Sequence, residues 1–393
     1  MALVLKLQLA TMVGKIDVLL YLKYGTTLAN SNFAEAYASS PIYNIPPLAA
    51  GFSALLATWF GSDHNVFAFF LKLPGILAES AFAVLLWRRF GHEQGLRRWI
   101  GLFVALNPIT IPVTGLHGNL DSLLAVFVGM ALLMALDDRP IACAIWFGLA
   151  ANLKVSPLLL SPAFFFWWLH RGRVWPFMLA AAVVILGGWS PGLIECPRLF
   201  LERVIGYTSL WGTWGVSRIL YLTGSPDYHS ILYGAPSAPA ALISAGLKLI
   251  VIAGAFILAW RRRKMPAEGL IGTVAAAWTI FFVFAPGGAP QYTVWPLVPL
   301  LLYNVRLGLA YTVAAFPFMF VFYPFAFTSV LPFNPCTALV EIWPDVKSEY
   351  GWTWPALFLW ATLLVILVLE WRRWWNGKPA ATDSVVLEAA PAC

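Results

Sequence analysis

The sequence predicts an all-α polytopic membrane protein, and three observations carry that prediction. The chain is 60% hydrophobic and only 11% charged, where a soluble domain has about 25% charged residues. Its apolar residues fall into runs close to the roughly 20 residues that a helix needs to cross a bilayer. Its basic residues cluster between those runs, as the positive-inside pattern requires. A membrane β-barrel would show alternating segments of about ten residues instead. The net charge of +7 therefore does not imply nucleic acid.

Charge sets the expected orientation. Arg88-Arg89 with Arg97-Arg98, Arg139, Arg171 with Arg173, Arg261 to Lys264, Arg306, and Arg372-Arg373 with Lys378 are assigned to the cytoplasm. The opposite face then carries Lys15, Lys23, Lys154, Arg198, Arg203, Arg218 and Lys347. The spans alternate consistently on this map, with Trp near many span ends, as in an aromatic belt.

The first thirteen residues form a short apolar helix interrupted by Lys6. An outer loop with surface helix runs from Asp17 to Pro46. Residues 47–60 are too short to cross straight, so they are re-entrant or pack on the next segment. The stretch 64–87 runs inward, 99–115 outward and 121–136 inward. Residues 141–169 are long for one crossing and short for two, and Lys154-Val155-Ser156-Pro157 interrupts them. Proline disfavours helix at the residue before it. Two short helices meeting at Lys154 are expected, both with cytoplasmic outer ends. Residues 174–193, 240–260, 269–285, 292–303, 307–323 and 355–370 complete a bundle of roughly 9–12 transmembrane or re-entrant helices. One membrane domain covers residues 1–371, and 372–393 is a polar, disordered cytoplasmic tail. Cys143 falls inside a span and Cys393 on the tail. Cys196 and Cys336 fall in outer loops, where a bridge is one option.

The segment Gly115-Leu116-His117-Gly118-Asn119-Leu120-Asp121 packs an imidazole, a carboxamide and a carboxylate between apolar runs. Polar groups at that depth cost several kcal/mol each (roughly) unless water, partners or a ligand satisfy them. The segment reads as the wall of a polar site. His117 and Asp121 are four residues apart and share a face if the helix is continuous. They can hold sugar hydroxyls, orient a base or bind a divalent cation, although no third metal ligand is evident. The bland alternative is a helix hairpin capped by Asn119.

Asp17 follows the first helix, with Tyr21 one turn on and Tyr24 beyond it. A carboxylate there, near Tyr43 and Pro46-Pro47, can take a proton from a hydroxyl; otherwise it is a helix-terminal acid without a task. Lys154 suits a phosphate oxygen, or else snorkels to the interface. Lys72 and Glu79 lie two turns apart and are expected to partner other buried groups, not each other. Gln291 and Tyr292 follow a Gly/Pro-rich break that can line a pocket. The loop with Tyr207, Trp211, Trp214 and Arg218 adds aromatic surface and a cation, suited to sugar rings or lipid headgroups.

Taken in order, these pieces resemble the GT-C superfamily of integral-membrane glycosyltransferases. The closest likeness is to bacterial polyprenyl-phosphate-mannose-dependent mannosyltransferases. The resemblance rests on Asp17, Tyr21 and Tyr24, then Tyr43-Asn44-Ile45-Pro46-Pro47; on Lys72-Leu73 and Glu79, where Asp is more usual; and on Asn107-Pro108 with Gly115 to Asp121. It continues with Lys154 before Pro157, and with Gln291-Tyr292, Trp295, Pro296 and Pro299. It covers most of residues 15–305; the C-terminal third carries none of its motifs.

The resemblance implies a GT-C-like bundle in a bacterial plasma membrane, with long extracytoplasmic loops and the site on that face. It implies a polyprenyl-phosphate-sugar donor and a lipid-linked or glycan acceptor, with membrane lipid around both. Asp17 is then the general base of a single inverting displacement. Tyr21, Tyr43, His117, Asn119, Asp121, Gln291 and Tyr292 border the substrates. Lys154 and Arg218 offset phosphate charge. No cofactor is required by this scheme beyond an optional divalent cation. The competing expectations are a transporter or flippase of a lipid-linked sugar, which would usually show matched repeats, and a non-catalytic membrane scaffold.

Overall fold

The computed structural model describes residues 1–12, 17–40, 42–207, 211–224, 237–327 and 353–376, with side chains to 323 in the penultimate stretch. Every regular element among them is helical. Seven helical segments are long and apolar enough to cross a membrane, and three shorter apolar helices accompany them. The chain is an all-α integral membrane protein.

The elements run α1 Ala2–Ala10, α2 Asp17–Asn30, α3 Phe33–Ala38, α4 Pro47–Phe60, α5 His64–Phe90, α6 Ile100–Ala105, α7 Asp121–Leu136, α8 Pro140–Leu153, α9 Ser161–His170 and α10 Val174–Glu195. They continue with α11 Gly215–Leu222, α12 Ala238–Arg261, α13 Ala267–Phe284, α14 Leu297–Tyr303, α15 Val305–Phe327 and α16 Thr353–Asn376. Short 3-10 and π turns join several of them.

α13 sits at the centre, with 78% of its apolar window buried, and α10 at the rim, with 22%. α10 and α12 turn Trp175, Val183, Ile194, Leu242 and Leu249 outward. In a bilayer such residues meet lipid tails, which are as apolar as they are. α2, α3 and α4 form a layer at one end. Residues 47–60 pack mainly on α2, and less on α5. Gly25 makes that packing possible, because a Cβ there would lie 2.6 Å from the Ser53 carbonyl oxygen.

Helix lengths decide where polar groups sit. Arg89 and Asp137 pair at 2.7 Å, placing the ends of α5 and α7 at one level. From that level α5 rises through about 25 residues and α7 through only 16, so Asp121 stops roughly 15 Å short of the far end of α5. α8 climbs back from the same basic end, where Asp138 pairs with Arg173 at 2.7 Å. It stops at Lys154, and α9 descends again. This is the broken pair read from residues 141–169.

The outward run 99–115 is not continuous. It breaks after α6 at Asn107-Pro108, where the Asn107 side chain bonds the Ile109 N–H at 2.9 Å and donates to Thr312 at 3.0 Å. A short turn then leads into π-helical Val113–His117. Broken backbone survives at membrane depth when buried in protein, and here α1 covers it. Gly115 lets α1 in: its Cβ would meet the Lys6 Cα at 3.1 Å. Lys72 donates to the Met12 carbonyl at 2.6 Å and to that of Ala10 at 3.4 Å, a cation at the C-terminal end of α1.

Glu79 pairs with Lys6 and accepts from Thr114 at 2.5 Å; Thr114 also bonds Ser122 at 2.6 Å. Lys72 and Glu79 thus each engage other groups. Lys6→Met leaves the buried Glu79 short of its cation, and thermal unfolding in detergent is expected to show a loss of about 3–5 kcal/mol. Lys6→Met with Glu79→Leu, which removes both charges, is expected to recover most of it.

One sequence expectation changes at the C-terminal end. α16 runs to Asn376, so the tail boundary at 372 falls inside a helix; the remaining tail, including Cys393, lies outside the described residues. Cys196 is buried and Cys336 also lies outside them, so their bridge is not addressed.

Candidate active site

The tops of three short elements converge beside the start of α2. Gly118 takes φ +79° between the π turn and α7, a conformation that only glycine adopts at little cost. His117 and Asp121 therefore do not share one helix face, as a continuous helix would require. Each meets a different partner. Asn119 does not cap α7, whose N-cap is Leu120. Its side-chain oxygen instead accepts from the Leu120 N–H at 2.7 Å and from the Tyr21 hydroxyl at 3.3 Å.

Asp17 is gripped through one oxygen. Its Oδ2 receives the Asn119 amide at 2.5 Å and the Gln291 amide at 3.3 Å, and lies 3.0 Å from the His117 Nε2. His117 Nδ1 in turn lies 3.2 Å from the Tyr323 hydroxyl. Among the described residues no hydrogen bond reaches Asp17 Oδ1, and the side chain keeps 15% of its exposure. Burial alone would raise the Asp17 pKa; His117, Lys154 and Asn119 outweigh it and hold the carboxyl below its usual range. Asp17 stands at the head of α2, in the end layer and outside the seven long spans.

Asp121 is the opposite case. It is fully buried, with Lys154 on Oδ2 at 2.8 Å and the Trp295 N–H on Oδ1 at 2.8 Å. Both oxygens are occupied. Lys154 keeps 17% exposure and lies 4.5 Å from the centre of the Tyr292 ring and 5.6 Å from that of Trp295. Those rings stack at 4.4 Å, so the ammonium rests on an aromatic floor. Only one of its three donors is used by Asp121, leaving two for an anion.

Direct contacts thus join Asp17, Tyr21, His117, Asn119 and Gln291 in one group and Asp121, Lys154 and Tyr292 in another, with Lys154 within electrostatic reach of Asp17. Two expected residues stand apart. Tyr43 stacks on Tyr24 at 4.2 Å and meets Tyr37 in a tilted contact at 5.1 Å, in a separate aromatic cluster under α3. It touches the site only through the electrostatic reach of its hydroxyl to Tyr21. Arg218 donates to Thr353 at 2.6 Å and to the Gly212 carbonyl at 3.3 Å, and lies over Tyr221. These contacts hold α11 against α16 and do not join the Asp17 cluster.

Trp295 and Tyr323 were not singled out as site residues. Trp295 lay within a quoted motif, but its indole N–H could not be matched to Asp121 from spacing. Tyr323 carries no local signal. Tyr207 lies within electrostatic reach of Tyr292, Lys154 and Asp17. Among the described residues no three His, Cys, Asp or Glu side chains converge to hold a metal. Among the described residues the buried Gln291 Oε1 has no hydrogen-bond partner; such a group suits a ligand hydroxyl. No family model matches the chain, and no curated protein matches it.

Proposed function

We propose that the chain is a membrane glycosyltransferase. It moves a hexose from a polyprenyl-phosphate donor to a hydroxyl of a lipid-linked or glycan acceptor on the extracytoplasmic face of a bacterial plasma membrane. The observation that carries the reading is the asymmetry of Asp17: one oxygen held by neighbours, the other open, with a partly exposed lysine in electrostatic range.

In this reading Oδ1 takes the proton from the acceptor hydroxyl. The acceptor oxygen bonds the anomeric carbon as the bond from that carbon to the phosphate oxygen breaks. The electron pair leaves on the lipid phosphate, beside Lys154. Asp121 has no oxygen to offer as a nucleophile, which favours one inverting displacement over a double displacement. The sequence resemblance favours mannose as the sugar.

The test is transfer by purified protein in detergent from a synthetic polyprenyl-phosphate mannose to octyl mannoside, with and without EDTA. Polyprenyl phosphate released in step with elongated glycoside supports the reading. Movement of the intact donor across a vesicle membrane without cleavage would replace it with a flippase.

The sign of the pH dependence follows from the same contacts. With Asp17 held below the usual carboxylate range, its deprotonated form persists as pH falls, so the acid limb of the transfer rate lies below that of an ordinary carboxylate. His117→Gln removes the principal group opposing burial, and the limb is expected to move upward toward neutral pH. A pH profile of kcat/KM measures it, and a limb that stays in place removes Asp17 as its source.

A further inference from the structure

A second site lies at the opposite, basic end of the bundle and plays no part in the scheme above. A cavity of about 340 Å³ opens where α7 ends, α9 ends and α13 begins. That is the low end of the roughly 300–1,000 Å³ of small-molecule pockets. Its polar lining is Asp138, Trp167, Arg171 and Arg173, with Ala267 from the first turn of α13.

The balance of donors and acceptors is one-sided. Asp138 is already neutralised by Arg173, which bonds its carboxylate at 2.7 Å and its carbonyl at 2.9 Å. Arg171 lies 3.3 Å from the centre of the Trp167 ring, a position that fixes its plane. Among the described residues no hydrogen bond or ion pair reaches its guanidinium. Trp167 is 3% exposed, and its indole N–H is buried without a partner. Beside the cavity, α9 and α10 present Leu169, Trp175 and Leu179 outward, so its mouth borders the lipid-facing surface.

The Arg171 guanidinium, exposed, held on Trp167 and reached only electrostatically by Asp138, lines a cavity large enough for one acceptor-rich group. We infer that this cavity binds a phosphate group, carried on an anionic lipid headgroup or free in solution. Basic pockets between membrane helices recognise headgroups by this chemistry, and Arg matches phosphate through paired N–H donors.

The test uses the full chain in detergent. Native mass spectrometry measures retention of palmitoyl-oleoyl phosphatidylglycerol and of phosphatidylcholine with the same chains, with inorganic phosphate as competitor. The wild type is expected to retain phosphatidylglycerol preferentially. Arg171→Gln should weaken that binding by about tenfold or more, the scale of one charged hydrogen bond. Asp138→Asn keeps a residue tolerant of the backbone φ of 56° and releases Arg173, so binding should tighten. Displacement by millimolar phosphate assigns the site to free phosphate, and resistance to it assigns the site to the lipid. Arg88→Gln, an exposed cation outside the cavity, should change nothing. Equal retention of the two lipids with no phosphate competition, or equal losses in Arg171→Gln and Arg88→Gln, would overturn the proposal.

Discussion

Asp17→Asn is expected to lower the rate of sugar transfer by about 10²–10⁴-fold, the usual contribution of a positioned general base. The substitution nearly conserves volume, so the layer of α2 and α4 should stay folded. What changes is the open oxygen. The amide cannot take a proton, and whichever atom replaces Oδ2 must satisfy donors from Asn119, His117 and Gln291. The loss should fall on kcat with the KM for donor nearly unchanged, because the donor phosphate is assigned to Lys154. Lys154→Gln should divide its effect differently, raising the donor KM as well. Steady-state kinetics of both variants, with unfolding temperatures as a control, decides between them. Equal turnover in Asp17→Asn and wild type removes the residue from the chemistry.

Gly118→Ala is expected to destabilise the protein by about 2–5 kcal/mol and to abolish transfer. Two costs add. A side chain at φ +79° pays about 1–2 kcal/mol for the left-handed conformation. The new Cβ would also lie 2.2 Å from Val18 Cγ2 and 3.0 Å from Lys72 Cε, an overpacking that costs about 1–3 kcal/mol. The lysine stem can shift; the branched valine is stiff. Val18→Ala should therefore rescue the steric part and leave the backbone part. A double-mutant cycle on thermal unfolding should show coupling of about 1–2 kcal/mol. Strict additivity would mean that Val18 is not what Gly118 accommodates.

The sequence was most informative where a polar residue interrupts an apolar run. Asp17, His117, Asn119, Asp121, Lys154 and Gln291 all stand out because burial of such groups is costly, and the fold draws all six together. What could not be read was which carboxylate each donor meets. The i, i+4 spacing put His117 and Asp121 on one face; Gly118 separates them, and its positive φ has no signature beyond being glycine. Lys154 showed no acid within four residues, yet Asp121 reaches it from 33 positions away. Such partners are set by how helices stack, and stacking leaves little trace in local pattern. Arg218 and Tyr43 mark the same limit: a buried cation and a buried phenol look alike in sequence whether they face a ligand or tie two helices together. The π turn and the break at Asn107-Pro108 were hidden within a run whose hydropathy suits an unbroken span.

The unequal climb of α5 and α7 has a consequence for what can react. The Asp121–Lys154 pair sits about two to three helical turns beneath the neighbouring rim, at a depth where lipid rather than bulk water surrounds the bundle. Under the proposed reaction a lipid-borne sugar phosphate would meet the Lys154 cation from the side, while the acceptor hydroxyl would meet Asp17 in the end layer. On that reading the two substrates are sorted by depth before any hydrogen bond is made.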